Sequence, residues 1–229
     1  MEHLKPLLDR WFDLAPVTGK AVADIGCGSG GLLAFLEAQG AVVCGIEPRE
    51  AAVQEANERL GGETPVVQGG AEDLPWSDQS LDMAVFSMSL HHVPKPHLSA
   101  ALAEAIRVIK PQGHVVIIEP IAEGASYAVE RLIDDEAVVR RDAADAIKVF
   151  LADGHATVLI DERLAWHYVY ASFDNFISQM VGIDPSRAAQ AKAHHDEAHR
   201  LFHEGGTQTP QGWRFPQDYR LVIMQPAGS

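Results

Sequence analysis

Residues 22–33 read Val-Ala-Asp-Ile-Gly-Cys-Gly-Ser-Gly-Gly-Leu-Leu: an apolar run, one acid, then a glycine-rich turn that opens a second apolar run. No other stretch of the chain constrains the fold as tightly. An unbroken apolar run marks a strand covered on both faces. The alternating Gly26, Gly28 and Gly30 allow the main chain to turn sharply and press against a ligand, because glycine tolerates positive φ and has no Cβ in the way. Asp24, two residues before the first glycine, offers that ligand a carboxylate suited to a cationic or hydroxylated group.

Similar segments follow. Residues 20–25, 41–46, 64–68, 81–87 and 114–118 read as strands, with helices at 30–38, 51–60 and 97–109. Strands alternating with helices imply an α/β, Rossmann-like doubly wound sheet that is mostly parallel. Lys110-Pro111-Gln112-Gly113 reads as a turn, since proline and glycine stop the preceding helix. Past Glu119-Pro120 the rhythm changes to helices at 127–138 and 141–151, a strand at 163–171, helices at 172–181 and 184–203, and a closing strand at 219–225. Leu4, Leu7, Leu8, Trp11 and Phe12 share one face of an amphipathic N-terminal helix, which either packs on the sheet or closes over a ligand. With no repeat and no linker, residues 1–229 read as one domain: a core at about 20–120 and a helical elaboration at about 121–215.

Composition removes several classes of function. Lys plus Arg total 18 against 32 for Asp plus Glu, a formal charge of −14 that disfavours nucleic acid, whose binding depends on neutralising phosphates. Only 2 cysteines are present, Cys27 and Cys44, both in or beside apolar strands, so neither a disulfide framework nor a metal site is expected. Nothing resembles a signal peptide, and no segment nears the roughly 20 apolar residues of a membrane span. A soluble, cytoplasmic protein without a membrane partner is the expectation.

Several of these segments together resemble class I S-adenosylmethionine (SAM) dependent methyltransferases, in particular the small-molecule branch that reads D-x-G-C-G-x-G early and L-H-H later. The resemblance covers residues 20–120. It implies a seven-stranded sheet with an antiparallel last strand, for which 163–171 and 219–225 are the candidate pair. It also implies SAM as cofactor, with Asp24, Gly26, Cys27, Gly28 and Gly30 under its amino-acid and ribose portion. Glu47, followed by Pro48, corresponds to the ribose-binding acid. Residues 68–75 resemble the adenine-binding turn: Ala71 is the main-chain donor, Gly70 stands where an aspartate is common, and Glu72 or Asp73 is left to accept from the adenine amino group. Ser87 and Met88 fall beside the methyl-transfer position.

Charge separates this from the nearest alternative. Gly26, Gly28 and Gly31 also satisfy a dinucleotide fingerprint, with Glu47 at the distance of its ribose acid, so an NAD(P)-dependent oxidoreductase is a second reading. Asp24 would repel a pyrophosphate, whereas the sulfonium and ammonium of SAM favour nearby carboxylates. A third reading, a non-catalytic methyltransferase-like module, follows from Gly70. Methyl transfer needs no acid, because the leaving thioether is neutral, but a hydroxyl or ammonium acceptor needs a base. His91 and His92 are the candidates, and His92 is taken as the catalytic one. Trp166, His167 and Tyr168 are candidates to line an acceptor pocket. His195, His199 and His203, at helical spacing, echo a zinc-protease helix, but Asp196 stands where that motif has glutamate, and they read as a solvated face.

Overall fold

The computed structural model describes residues 5–62 and 64–228. Leu4, assigned by spacing to the first helix, lies outside them. The chain divides into two compact units: Met1–Glu119 with Arg141–Glu162 and Arg220–Ser229, and Pro120–Arg140 with Arg163–Tyr219.

The first unit is built on β1 (Ala21–Ile25), β2 (Val42–Glu47), β3 (Val66–Gln68), β4 (Leu81–Ser87) and β5 (Ile109–Pro120). It also takes in part of β6 (Ala156–Tyr170) and of β8 (Gly212–Pro226). Strand order is β3-β2-β1-β4-β5-β8-β6, with the last strand antiparallel, and a short β7 (Thr207–Thr209) pairs with β8. β1 lies parallel to both neighbours, Ala21↔Val42 through Ile25↔Ile46 on one side and Val22↔Met83 through Asp24↔Val85 on the other. Asp24 is thereby enclosed between two strands, and β1, β2 and β4 all end at one edge.

Helices α1 (Lys5–Leu14), α2 (Gly31–Ala38), α3 (Glu50–Arg59) and α4 (Leu98–Val108) complete this unit, with the greater part of α6 (Ala137–Ala152). α4 buries Leu98, Ala101, Leu102, Ala105 and Val108, the i, i+3, i+4 stripe of an amphipathic helix. In α1, Leu7, Leu8 and Trp11 are buried, and Phe12 stacks on Phe35 at 6.2 Å, so this helix packs. The turn expected at 110–113 is absorbed into β5. Leu81 pairs with Ile109 but Met83 with His114, so the extra residues bulge from the ladder between those two pairs.

The second unit contains α5 (Gly124–Glu130), α7 (Phe173–Ile183), α8 (Ala188–Ala193), α9 (His195–Gly205), β7 and the remaining lengths of β6 and β8. Its core is aromatic: Phe202 lies 4.8 Å from Phe215 and 5.5 Å from Phe173, and Tyr170 meets Phe176 edge-on at 5.1 Å. Three boundaries differ from expectation. The helix expected at 127–138 spans Gly124–Glu130, and the next begins only at Ala137. β6 begins at Ala156, ahead of the strand expected at 163–171, and its early Val158 and Leu159 are exposed. The single helix expected at 184–203 is broken at His194 (φ −107°, ψ 16°), and its Asp-Pro start forms a 3₁₀ turn in which Asp184 accepts from Ser186 N–H.

Phe202 is fully buried among those rings. Phe202→Ala should cost about 3–5 kcal/mol of stability, read as a lower urea midpoint. A loss below 1 kcal/mol would show that this aromatic cluster does not hold the unit together.

Candidate active site

The glycine turn joins β1 to α2 and is tied down from both sides. Gly26 N–H and Cys27 N–H both donate to Ile46 O of β2, at 2.8 and 3.1 Å. On the other side Ser89 Oγ donates to Ile25 O at 2.5 Å. Gly26 has φ +76°, and a Cβ there would lie 2.6 Å from Ser89 Cβ, so only glycine fits. Gly28 (φ +53°) is the opposite case: nothing lies within 4 Å of where its Cβ would be, so its open side is the face available to a ligand.

Two carboxylates flank this turn. Asp24 is 2% exposed, and its Oδ1 is buried without a hydrogen-bond partner among the described residues. Burial first, and the charge of Glu47 second, push its carboxyl up to about 7. Glu47, the last residue of β2, accepts from Gly28 N–H through Oε2 at 3.0 Å, and from Arg49 N–H and Arg49 Nε through Oε1 at 3.1 and 2.8 Å. Burial also raises the Cys27 and Cys44 thiols, Cys44 to about 12, so both are inert as nucleophiles.

The turn after β3 carries a local substitution of position. A Cβ on Gly70 would lie 2.5 Å from Glu72 Oε2, so the Glu72 carboxylate folds back over the glycine. Asp73 is exposed, Ala71 is buried, and His97 Nδ1 approaches Glu72 Oε1 at 3.9 Å. At the end of β4, Ser87 is half-buried and Met88 has φ +57°, a left-handed conformation costing a non-glycine residue roughly 1–2 kcal/mol. Met88 N–H donates to Ile118 O at 2.7 Å. The two histidines that follow differ. His91 is buried with Nδ1 bonded to Glu119 Oε2, while Glu119 Oε1 accepts from Leu90 N–H at 2.9 Å. His92 is exposed, its ring 4.1 Å from that of His91.

Asp24, Gly26, Cys27, Gly28 and Glu47 therefore meet at one edge of the first unit, and Ser89 carries the segment after β4 onto the same turn. Trp166, His167 and Tyr168 belong to the second unit, where Trp166 stacks on His167 at 5.0 Å and Tyr168 hydrogen-bonds Tyr219. His195, His199 and His203 line exposed positions of α9 as expected, with His203 Nδ1 facing His199 O at 2.8 Å. Sequence reasoning missed Arg49 and Ser89. Ser89 acts on a residue distant in sequence that the fold brings up, whereas Arg49 lies two residues from Glu47 but an arginine at that spacing carries no signal of its own.

This donor set fits a cationic ribonucleoside. An unpartnered buried carboxylate oxygen awaits a positive or N–H-bearing group, and open space lies over Gly28. The same two acids oppose a pyrophosphate. Strand order and turn define a nucleoside-binding α/β protein of the doubly wound class.

Residues 23–117 match the family model described as a methyltransferase domain. The chain is 37% identical over 108 residues to a demethylmenaquinone methyltransferase of Clavibacter sepedonicus, covering 46% of this chain and 43% of that one. It is 34% identical over 120 residues to a ubiquinone biosynthesis O-methyltransferase of Thiobacillus denitrificans, covering 50% and 51%. The chain thus spans about half the length of these relatives. Its fold is shared with the YcgJ protein of Bacillus subtilis (TM-score 0.64, 21% identity, 98% of this chain and 100% of that one).

Asp24 gives the site a pH signature. Its native carboxyl titrates above the ordinary value of 3.8, so the folded state holds the extra proton between about pH 4 and 7. The contribution to stability is present at low pH and is lost as pH rises to about 7. Relative to wild type, Asp24→Asn should gain about 2–4 kcal/mol of stability between pH 5 and pH 8 in the ligand-free protein, checked by urea unfolding at both pH values. Equal wild-type and variant slopes would mean that Asp24 is not held protonated.

Proposed function

We propose that the protein transfers a methyl group from SAM to a small-molecule acceptor. The observation that carries this reading is the unpartnered, buried Asp24 carboxyl beside Glu47, under the open face of Gly28. When bound, SAM supplies a methyl group activated by positive sulfur, and the thioether that leaves is neutral. The protein's own task is then to bind and orient, a contribution worth several kcal/mol of barrier when reacting atoms are held in line.

Within this reading Asp24 accepts from the α-ammonium, and the main chain of Gly26, Cys27, Gly28 and Gly30 lies against the amino-acid and ribose portion. Glu47 accepts from the ribose and Pro48 packs beside the base. Glu72 takes the place of the usual acid at Gly70, supported by its carboxylate occupying the space a side chain at 70 would fill, with Ala71 as the main-chain donor. Ser87 borders the methyl group. His92 is the candidate base for a hydroxyl acceptor, its ring packed on His91, which Glu119 orients. No metal is required by this chemistry.

Residues 1–229 act on this reading as one methyltransferase domain, with acceptor choice assigned to 121–215, where the Trp166, His167 and Tyr168 side chains lie. Relatives named for demethylmenaquinone and ubiquinone biosynthesis support an acceptor of quinol or phenol type. No helix among the described residues is long and apolar enough to cross a membrane. With a charge of −14, the reading is of a cytoplasmic enzyme working without nucleic acid or a membrane partner.

S-adenosylhomocysteine should raise the melting temperature and NAD should not, since a ligand of the native state stabilises it. Gly28→Val should abolish that shift by filling the open face, while lowering the ligand-free stability by only about 1–2 kcal/mol through its left-handed φ. Stabilisation by NAD alone would replace this reading with the oxidoreductase one. Turnover is tested by mixing SAM with quinol and phenol acceptors and looking for a gain of one methyl mass. Binding without transfer to any acceptor pool would favour a non-catalytic module.

A further inference from the structure

The hydrogen bonds on Glu47 fall into two kinds. A carboxylate offers about four acceptor sites, two on each oxygen. Main-chain donors fill one on each: Gly28 N–H on Oε2 and Arg49 N–H on Oε1. These are fixed by the glycine turn and by the entry to α3. Among the described residues the one further donor to this carboxylate is the Arg49 side chain, with Nε 2.8 Å from Oε1. Beyond the main-chain donors, then, each oxygen has one site left, and Arg49 Nε takes the one on Oε1.

The two partners are unequally placed. The Glu47 side chain is 5% exposed, whereas that of Arg49 is 64% exposed. An exposed guanidinium can swing into water at small cost, while the buried carboxylate cannot follow it. Arg49 also supplies positive charge to Glu47, the acid whose charge pushes up the Asp24 carboxyl. It thus compensates part of the negative charge at this edge of the sheet.

Resting on the reading of Glu47 as the ribose acid, we propose that the Arg49 guanidinium is a movable counter-ion. It holds the Glu47 carboxylate in place while the site is empty and yields Oε1 to one hydroxyl of the ribose diol on binding. One remaining acceptor site on each oxygen matches a vicinal diol only after Arg49 withdraws. Arg49 is therefore a positioning residue that tunes cofactor affinity, and a competitor for the ribose.

The test is calorimetric titration of wild type and Arg49→Ala with S-adenosylhomocysteine and with its 2′-deoxy and 3′-deoxy analogues. The substitution keeps the main-chain N–H and removes one ion pair to a buried acid, so the ligand-free protein should stay folded and melt slightly lower. S-adenosylhomocysteine should bind Arg49→Ala about three- to tenfold more tightly, the range of one hydrogen bond no longer given up. In wild type, one of the two deoxy analogues should lose little, because Arg49 returns to Oε1. In Arg49→Ala that same analogue should lose about fivefold more, because Oε1 is then left short of a partner. Weaker binding by Arg49→Ala, or equal deoxy penalties in the two proteins, overturns the proposal. Absence of S-adenosylhomocysteine binding to wild type instead overturns the cofactor reading on which it rests.

Discussion

Two acids lie near the carboxyl ends of neighbouring parallel strands, both buried, and the surrounding structure is arranged to tolerate them. Asp24 and Glu47 are 2% and 4% exposed, close enough that the charge of one raises the proton affinity of the other. Such a pair is unfavourable in an empty protein. Glu47 is relieved by two main-chain N–H groups and a guanidinium, whereas Asp24 keeps one oxygen without a partner. That imbalance is the cost of a site built for a positive ligand.

The glycine turn exists to hold this arrangement. Its N–H groups at 26 and 27 anchor on Ile46 O, so the turn moves with β2 and keeps Gly28 N–H aimed at Glu47. Ser89 presses from the β4 side into space that a side chain at 26 would need. The left-handed Met88 just before it is strain stored where β4 stops, a placement common at functional sites. Buried strands β1, β2 and β4 thus fix acids, turn and post-β4 segment with respect to one another, without demanding much of the loops.

Much of this was legible in the sequence because apolar strand runs and glycine spacing are local signals. The strand at 81–87 was placed to the residue, and β1 and β2 to within one, since each is a mainly apolar run with at most one acid inside it. Asp24 and Glu47 could be assigned because each lies at a strand end. What was not legible depends on tertiary contacts. The bulge at 110–113 forms because β5 continues its pairing with β4 across a proline-glycine pair. The break at His194 lies in a run of alanines and polar residues with no local stop signal. The Glu72 carboxylate lies over Gly70 only because the turn folds one over the other, and Ser89 reaches Ile25 O only once β4 lies beside β1. In the second unit, aromatic residues far apart in sequence make one core, so helix ends there follow packing more than capping residues.

The claim on which all else depends is that this edge receives a cation beside a ribose rather than a diphosphate. Calorimetric titration with SAM near pH 6.5, repeated in two buffers of different ionisation enthalpy, tests it most directly. Binding should release protons, because an ammonium drawn to Asp24 favours its ionised form, and the release should vanish in Asp24→Asn. Binding of SAM with no proton release, or heat from NAD with none from SAM, would contradict it.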